Sequence, residues 1–275
     1  MTKKNEFDGK TEMEVIVNGL WIGTKLSLIE TLTITSFLKQ GHKFRLFVYE
    51  PIQTPLPQGC ITEDANKILP ESSVFRYKNT TQFGQGKGSV SGFSDIFRYK
   101  LLYDEGGWWS DMDITCLKPL TVEGDYYFRD HPSLPLVGNM MKAPKGCDLM
   151  RLCFEKASSD VDEHNRDWHK PIEILAQEVE KLGLTRFIDK GYEKSNPDDW
   201  DEVKNLLLSK ADMPQSFYFV HWMNENWRSK GLDKNDFMIG SAYFKLLVQF
   251  GLIEDDFNVL QRWKNRFRHR YLNWY

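Results

Sequence analysis

An α/β fold with a mixed central sheet flanked by helices is predicted for this 275-residue chain, on three observations. Residues 14–23 are an apolar run ending in a glycine turn. Leu28, Ile29, Leu32 and Leu38 then recur at helical spacing until Gly41, and residues 44–49 form a second apolar run stopped by Pro51. Strand, helix, strand at this spacing opens a parallel sheet with nucleotide-binding habits. The third observation lies at 93–113, where an amphipathic helix meets Gly106-Gly107 and then the short apolar stretch Trp108-Trp109-Ser110. That stretch ends in Asp111-Met112-Asp113.

Between these units, residues 51–88 are loop-rich, with Pro51, Pro55, Pro57 and Pro70 among them. A short helix is expected near 64–69 and a strand near 74–77. The run Phe83-Gly84-Gln85-Gly86-Lys87-Gly88 lacks the Gly-Lys-Ser/Thr order of a phosphate-binding loop, and reads as either a flexible linker or a loop that gates a substrate. Beyond Asp113, a strand is expected at 126–128, helices at 148–157 and 171–182, and a polar loop at 191–201. A strand at 217–220 and a helix at 237–250 follow. With no internal repeat and no clear linker, the chain reads as one domain spanning 1–275.

Composition narrows the function. A hydrophobic fraction of 41% with 14% aromatics supports a substantial core, and a net charge of −3 argues against nucleic acid as a partner. Cys60, Cys116, Cys147 and Cys153 form no CxxC pair, which argues against a zinc site or a disulfide framework. The charged N-terminus lacks an apolar signal core, and no apolar stretch approaches the roughly 20 residues of a membrane span. A soluble protein of a reducing cytoplasm is expected.

Two carboxylates one residue apart at a strand's carboxyl end can approach a divalent cation together with its anionic ligand. Hard oxygen donors suit Mg²⁺ or Mn²⁺, which would neutralise a diphosphate leaving group. Asp111 and Asp113 occupy that position. Asp95 and Arg98, three residues apart, share a face of the preceding helix. A surface ion pair is the ordinary reading of such a spacing. On the helix that feeds an Asp-x-Asp strand, a carboxylate for sugar hydroxyls with a guanidinium fork beside it is the better one.

The segment Ser94-Asp95-Ile96-Phe97-Arg98, followed by Leu102-Tyr103-Asp104-Glu105-Gly106-Gly107-Trp108-Trp109-Ser110-Asp111-Met112-Asp113, resembles the signature of sugar transferases with a DXD motif. It is similar to the glycosyltransferase family 32 enzymes of capsule, lipid-glycan and mannan synthesis, and to the glucosylating domains of large clostridial toxins. Trp21-Ile22-Gly23 resembles their Trp-x-Gly, residues 139–146 their segment after the DXD, and residues 221–227 a late His-x-x-x-x-Ser-Trp, with Asn226 in place of Ser.

The resemblance implies a GT-A fold, with 14–120 as the nucleotide-sugar half and 121–275 as the acceptor side. It also implies transfer from a UDP- or GDP-sugar to a glycan or lipid-linked acceptor, with retention at the anomeric carbon, in surface polysaccharide synthesis. Trp21 would stack on the base, Asp95 and Arg98 would hold donor-sugar hydroxyls, and Asp111 would contact ribose and sugar. Asp113, with Asp111 and His221, would serve the metal, and Trp227 would donate its indole N–H to the diphosphate. Bulky Trp108-Trp109-Ser110 stands where the family has smaller residues, and packs the sheet. A non-catalytic binding module and a nucleotide-sugar hydrolase are the rival functions.

In the tail, Trp263, Phe267, Tyr271 and Trp274 fall at helical spacing among five Lys/Arg and no acid over 262–275. Such a helix either lies in an anionic membrane surface, placing the protein at the inner membrane, or packs its aromatics on the domain.

Overall fold

The computed structural model describes residues 15–121, 124–190, 194–196 and 198–271, without the side chains of the last two. Glu14, part of the expected loop at 191–201, and tail residues 272–275 lie outside them. The strand, helix, strand opening is present as β1 (Ile16–Trp21), α1 (Leu28–Lys39) and β2 (Lys43–Val48). Ser27 caps α1 in a reciprocal box with Glu30, each satisfying donors that the first helical turn leaves open. Next come β3 (Cys60–Asp64), α2 (Ser91–Glu105), β4 (Gly107–Ser110) and β5 (Ile114–Cys116). They are followed by β6 (Tyr127–Arg129), β7 (Val137–Ala143), α3 (Asp148–Asp160), α4 (Lys170–Lys181) and β8 (Ile188–Asp189). The chain closes with α5 (Trp200–Leu208), β9 (Phe219–His221), α6 (Asn224–Ser229), α7 (Ala242–Gln249) and α8 (Val259–Tyr271).

The main sheet runs β3-β2-β1-β4-β7-β6-β8. Its first four strands are parallel, β7 is antiparallel to both β4 and β6, and β8 is parallel to β6. This is the mixed sheet with flanking helices that the sequence predicts. Strands from both sides of residue 120 share it. A second ladder pairs β5 with β9 antiparallel, setting Ile114 opposite His221.

Because side chains alternate along a strand, Trp108 and Trp109 bury on opposite faces. Trp109 joins Phe97, Phe128 and Met141 under α2, α3 and α4. Trp108 joins Phe37, Phe44 and Met140 under α1. Both indoles pack the sheet, as their bulk suggests. A third cluster gathers Ile29 and Leu32 of α1 with Trp222, Trp227 and Tyr243, and seats α5, α6 and α7.

Several local expectations change. Residues 74–77 form no strand: Tyr77 exchanges backbone hydrogen bonds with Gly88 and Ser89 (2.7 and 3.0 Å), so that stretch pairs with the glycine-rich loop instead. The short helix near 64–69 contracts to one 3-10 turn at Ala65–Lys67, because the residues before it pair as the edge strand β3. The helix expected at 237–250 begins only at Ala242, after Gly240 at φ +91° and the Ser241 cap. β7 and α5 carried no clear pattern in the sequence.

Gly106 is required by both conformation and space. Its φ is +69°, and a Cβ there would stand 2.5 Å from the Lys145 backbone nitrogen. Gly41 has φ +85° with nothing within 4 Å. Gly106→Ala is therefore expected to lower stability by about 3 kcal/mol and Gly41→Ala by only about 1 kcal/mol. Thermal unfolding of the two variants checks this, and equal losses would contradict the steric argument.

Candidate active site

β1 and β4 are parallel neighbours, so Trp21 and Asp111 leave the sheet at the same end. Ligand sites of open α/β sheets lie there. The helix that feeds β4 presents Asp95 and Arg98 to the same place. Arg98 lies between two carboxylates, 2.6 Å from Asp95 and 3.3 Å from Asp111, and also donates to the Gly138 carbonyl. Its guanidinium lies 5.4 Å from the Trp109 ring, whose indole N–H donates to Asp111 at 2.7 Å. Gly138 leaves this room, since a Cβ there would meet Arg98 at 3.0 Å.

Burial pushes the Asp95 carboxyl up to about 6, with Arg98 opposing the rise and Asp111 adding to it. The Arg98 Nε is buried without a hydrogen-bond partner. In a cluster otherwise so fully satisfied, it is a donor still available to a ligand oxygen.

Asp113 faces a second cluster, built by the β5–β9 ladder. The His221 Nε2 stands 3.4 Å from the Asp113 carboxylate, and its Nδ1 is 2.7 Å from Asp198. Arg129 grips Asp198 through both terminal nitrogens, at 3.0 and 3.2 Å. Asn196 closes two hydrogen bonds on the His221 backbone, at 2.8 and 2.9 Å. Burial works against charge on the imidazole, but Asp198 and Asp113 on either side raise it to about 10. Burial likewise opposes charge on Asp113, and His221 together with the Asn224 amide holds it below the usual carboxylate range. That amide reaches Asp113 at 2.6 Å because Met223 takes a left-handed conformation, φ +54°.

The structure thus brings Asp95, Arg98 and Asp111 into one group and Asp113 with His221 into another. Arg129, Asn139, Asn196, Asp198 and Asn224 belong to the second group and were not found in the sequence. No spacing marks them, since they come from β6, β7, a loop and α6. Trp21 stands beside the site, its indole N–H donating to the Lys25 carbonyl, with Lys234 5.0 Å from its ring. Lys234 also pairs with Glu30, which accepts from Asn224 at 3.1 Å. Trp227 departs from expectation. It is fully buried, and its indole N–H goes to the Trp222 carbonyl at 2.9 Å, so it braces the turn after His221 from within the core rather than facing the cluster. The glycine-rich loop is tethered to α6, Gly86 donating to Glu225 at 2.9 Å and Arg228 to the Lys87 carbonyl at 2.8 Å.

Residues 33–131 match the family described as the glycosyltransferase sugar-binding region containing DXD motif. That region holds Asp95, Arg98, Asp111 and Asp113, and leaves Trp21, Asp198 and His221 outside its bounds. No curated protein matches the chain by sequence. Among solved structures, the PaToxG glycosyltransferase is similar with a TM-score of 0.45 and 15% identity, over 62% of this chain and 69% of that one.

Among the described residues, no three His, Cys, Asp or Glu side chains gather closely enough to enclose a metal ion. Two do converge: the Asp113 carboxylate, within the matched residues, and the His221 Nε2, with Nδ1 fixed by Asp198. A carboxylate on the far nitrogen orients a histidine for metal and raises its basicity. The Asp113 oxygen is the hard donor that Mn²⁺ or Mg²⁺ takes, and the His221 imidazole is a softer donor beside it. Asp111, expected beside Asp113 as a ligand, is instead directed to Arg98 and Trp109.

In the metal-free protein, a raised His221 contributes stability that is complete below its ordinary value of 6.5 and is lost as pH climbs through about 10. The stability difference between the parent protein and His221→Asn is expected to shrink across that window. Chemical denaturation at several pH values in EDTA tests it, and a difference independent of pH would show that the imidazole is not held charged.

Proposed function

We propose that the protein is a metal-dependent, retaining glycosyltransferase that moves a sugar from a UDP- or GDP-sugar to a glycan or lipid-linked acceptor. The observation that carries this reading is the division of the Asp-Met-Asp between two groups. Asp111 sits with Arg98 and Asp95, while Asp113 sits with His221. A nucleotide sugar has the matching two parts, a ring of hydroxyls and a charged diphosphate.

In this reading Asp95 accepts from donor-sugar hydroxyls, while the Arg98 Nε donates to one. Asp111, pinned by the Trp109 indole, receives ribose or sugar hydroxyls on its remaining oxygen. Trp21 offers its ring to the base. Asp113 and His221 would hold Mn²⁺ or Mg²⁺, whose charge would offset the negative charge that grows on the departing diphosphate. Lys234, beside Trp21 and near enough to Asp113 to favour its charge, adds a fixed positive group. Such preorganised charge suits a reaction whose transition state puts negative charge on the leaving oxygens.

Each carboxylate of the site has a partner, and none is left as a covalent nucleophile. Retention then follows from attack on the face the diphosphate leaves. The acceptor oxygen forms the new bond as the anomeric carbon–oxygen bond breaks, and its proton passes to the leaving phosphate oxygen.

A panel of nucleotide sugars with Mn²⁺, scored by nucleotide diphosphate release with and without acceptor, tests this reading. Asp113→Ala is expected to lower kcat/KM by about 10³-fold or more. EDTA is expected to stop turnover and Mn²⁺ to restore it. Turnover indifferent to EDTA would overturn the metal assignment, and release that no acceptor stimulates would make the enzyme a hydrolase.

A further inference from the structure

Helix α8 is amphipathic in the unusual direction. Four of its polar side chains, Arg262, Asn265, Arg268 and His269, reach back to the protein. Arg262 donates to the Phe257 carbonyl at 2.9 Å and pairs with Asp255 at 2.5 Å. Asn265 bridges the Ile239 amide and the Phe237 carbonyl at 2.7 and 2.8 Å, and Arg268 and His269 both reach Asp236, at 2.9 and 3.4 Å. Its large apolar side chains face outward: Val259 is 84% exposed, Leu260 59%, Trp263 61% and Phe267 52%. These are half of the eight large hydrophobic side chains exposed among the described residues, and they are contiguous. At 3.6 residues per turn they fall within about 100° of arc. Lys264 and Arg266, both exposed, lie on either side of that stripe.

We propose that this face docks on an anionic lipid bilayer. The stripe is convex, so it suits a deformable surface better than a groove. An indole and a phenyl ring, stacked at 5.6 Å, would enter the headgroup boundary while the flanking cations meet lipid phosphates. A second copy of the chain fits poorly, because apposing two such stripes sets Lys264, Arg266 and Arg268 against their own kind. No described helix is long and apolar enough to cross a membrane, so the helix lies on the surface.

The docked helix is anchored through Asp236, two residues beyond Lys234, which touches Trp21 and Glu30. Docking therefore brings the candidate donor site to the lipid surface, where a lipid-linked acceptor resides. The docking itself stands whether or not the site transfers sugar.

The test is co-sedimentation with vesicles of phosphatidylcholine alone or mixed equally with phosphatidylglycerol. The parent protein is expected to sediment with the mixed vesicles only, and less in high salt. Trp263→Ser with Phe267→Ser, and separately Lys264→Glu with Arg266→Glu, are expected to lower binding about tenfold or more without lowering the melting temperature. Both pairs are also expected to leave release of nucleotide diphosphate to a water-soluble acceptor unchanged. A parent protein that stays in the supernatant, variants that bind as it does, or a dimer abolished by the serine pair would each overturn the proposal.

Discussion

Four side chains of alternating charge, Arg129, Asp198, His221 and Asp113, run in contact through the interior of this protein. Charges out of water are tolerated only when each is paired and hydrogen-bonded, and removing one leaves its neighbour exposed to the full desolvation cost. The row is therefore a structural constraint as well as a chemical one. Arg129 comes from the main sheet, Asp198 from the loop before α5, His221 from β9, and Asp113 from the turn before β5. Holding them together fixes the two-stranded ladder against the sheet. It also supports Met223 in its left-handed conformation, from which Asn224 delivers its amide to Asp113.

The other half of the site depends on how Asp-Met-Asp turns. Met112 is buried, and its sulfur fills the space that Gly19 of β1 leaves open, where a Cβ would stand 2.8 Å from it. Anchoring the middle residue lets the two carboxylates take different hydrogen-bond partners. Asp111 goes to Arg98 and the indole of Trp109, and Asp113 goes to His221. A buried guanidinium between two carboxylates cannot move far without stranding a charge, so this half of the site is preorganised. The half around Asp113 is ordered by the row behind His221.

The candidate donor site and α8 are linked through the chain. The loop from Asp233 to Gly240 carries Lys234 toward Trp21 and Asp236 toward Arg268 and His269. One short segment thus ties the helix that turns aromatics outward to the residues expected to receive a nucleotide sugar. The tail's composition suggested two fates for its aromatics. The polar anchors of Arg262, Asn265 and His269 decide the direction for the described residues, because the backbone groups at Phe237 and Ile239 take their hydrogen bonds from that face of the helix.

The sequence by itself determined the opening strand–helix–strand unit, the helix and double-glycine turn before the Asp-Met-Asp, and the grouping of Asp95 and Arg98. These depend on local periodicity and on conformations open only to glycine, which neighbouring residues dictate. The edge strand β3, strand β7 and helix α5 were not legible, because their apolar positions have meaning only against partners distant in the chain. The same holds for Asp198, Asn196 and Arg129, whose roles arise where a loop, a sheet strand and a short ladder meet. Tertiary structure alone turned Trp227 into the core, gave Asp111 and Asp113 different partners, and set His221 between two carboxylates. Each of those outcomes is decided by which charges and donors must be paired once water is excluded, and the contacts that hold His221 reach back 82 residues to Asn139 and 108 residues to Asp113.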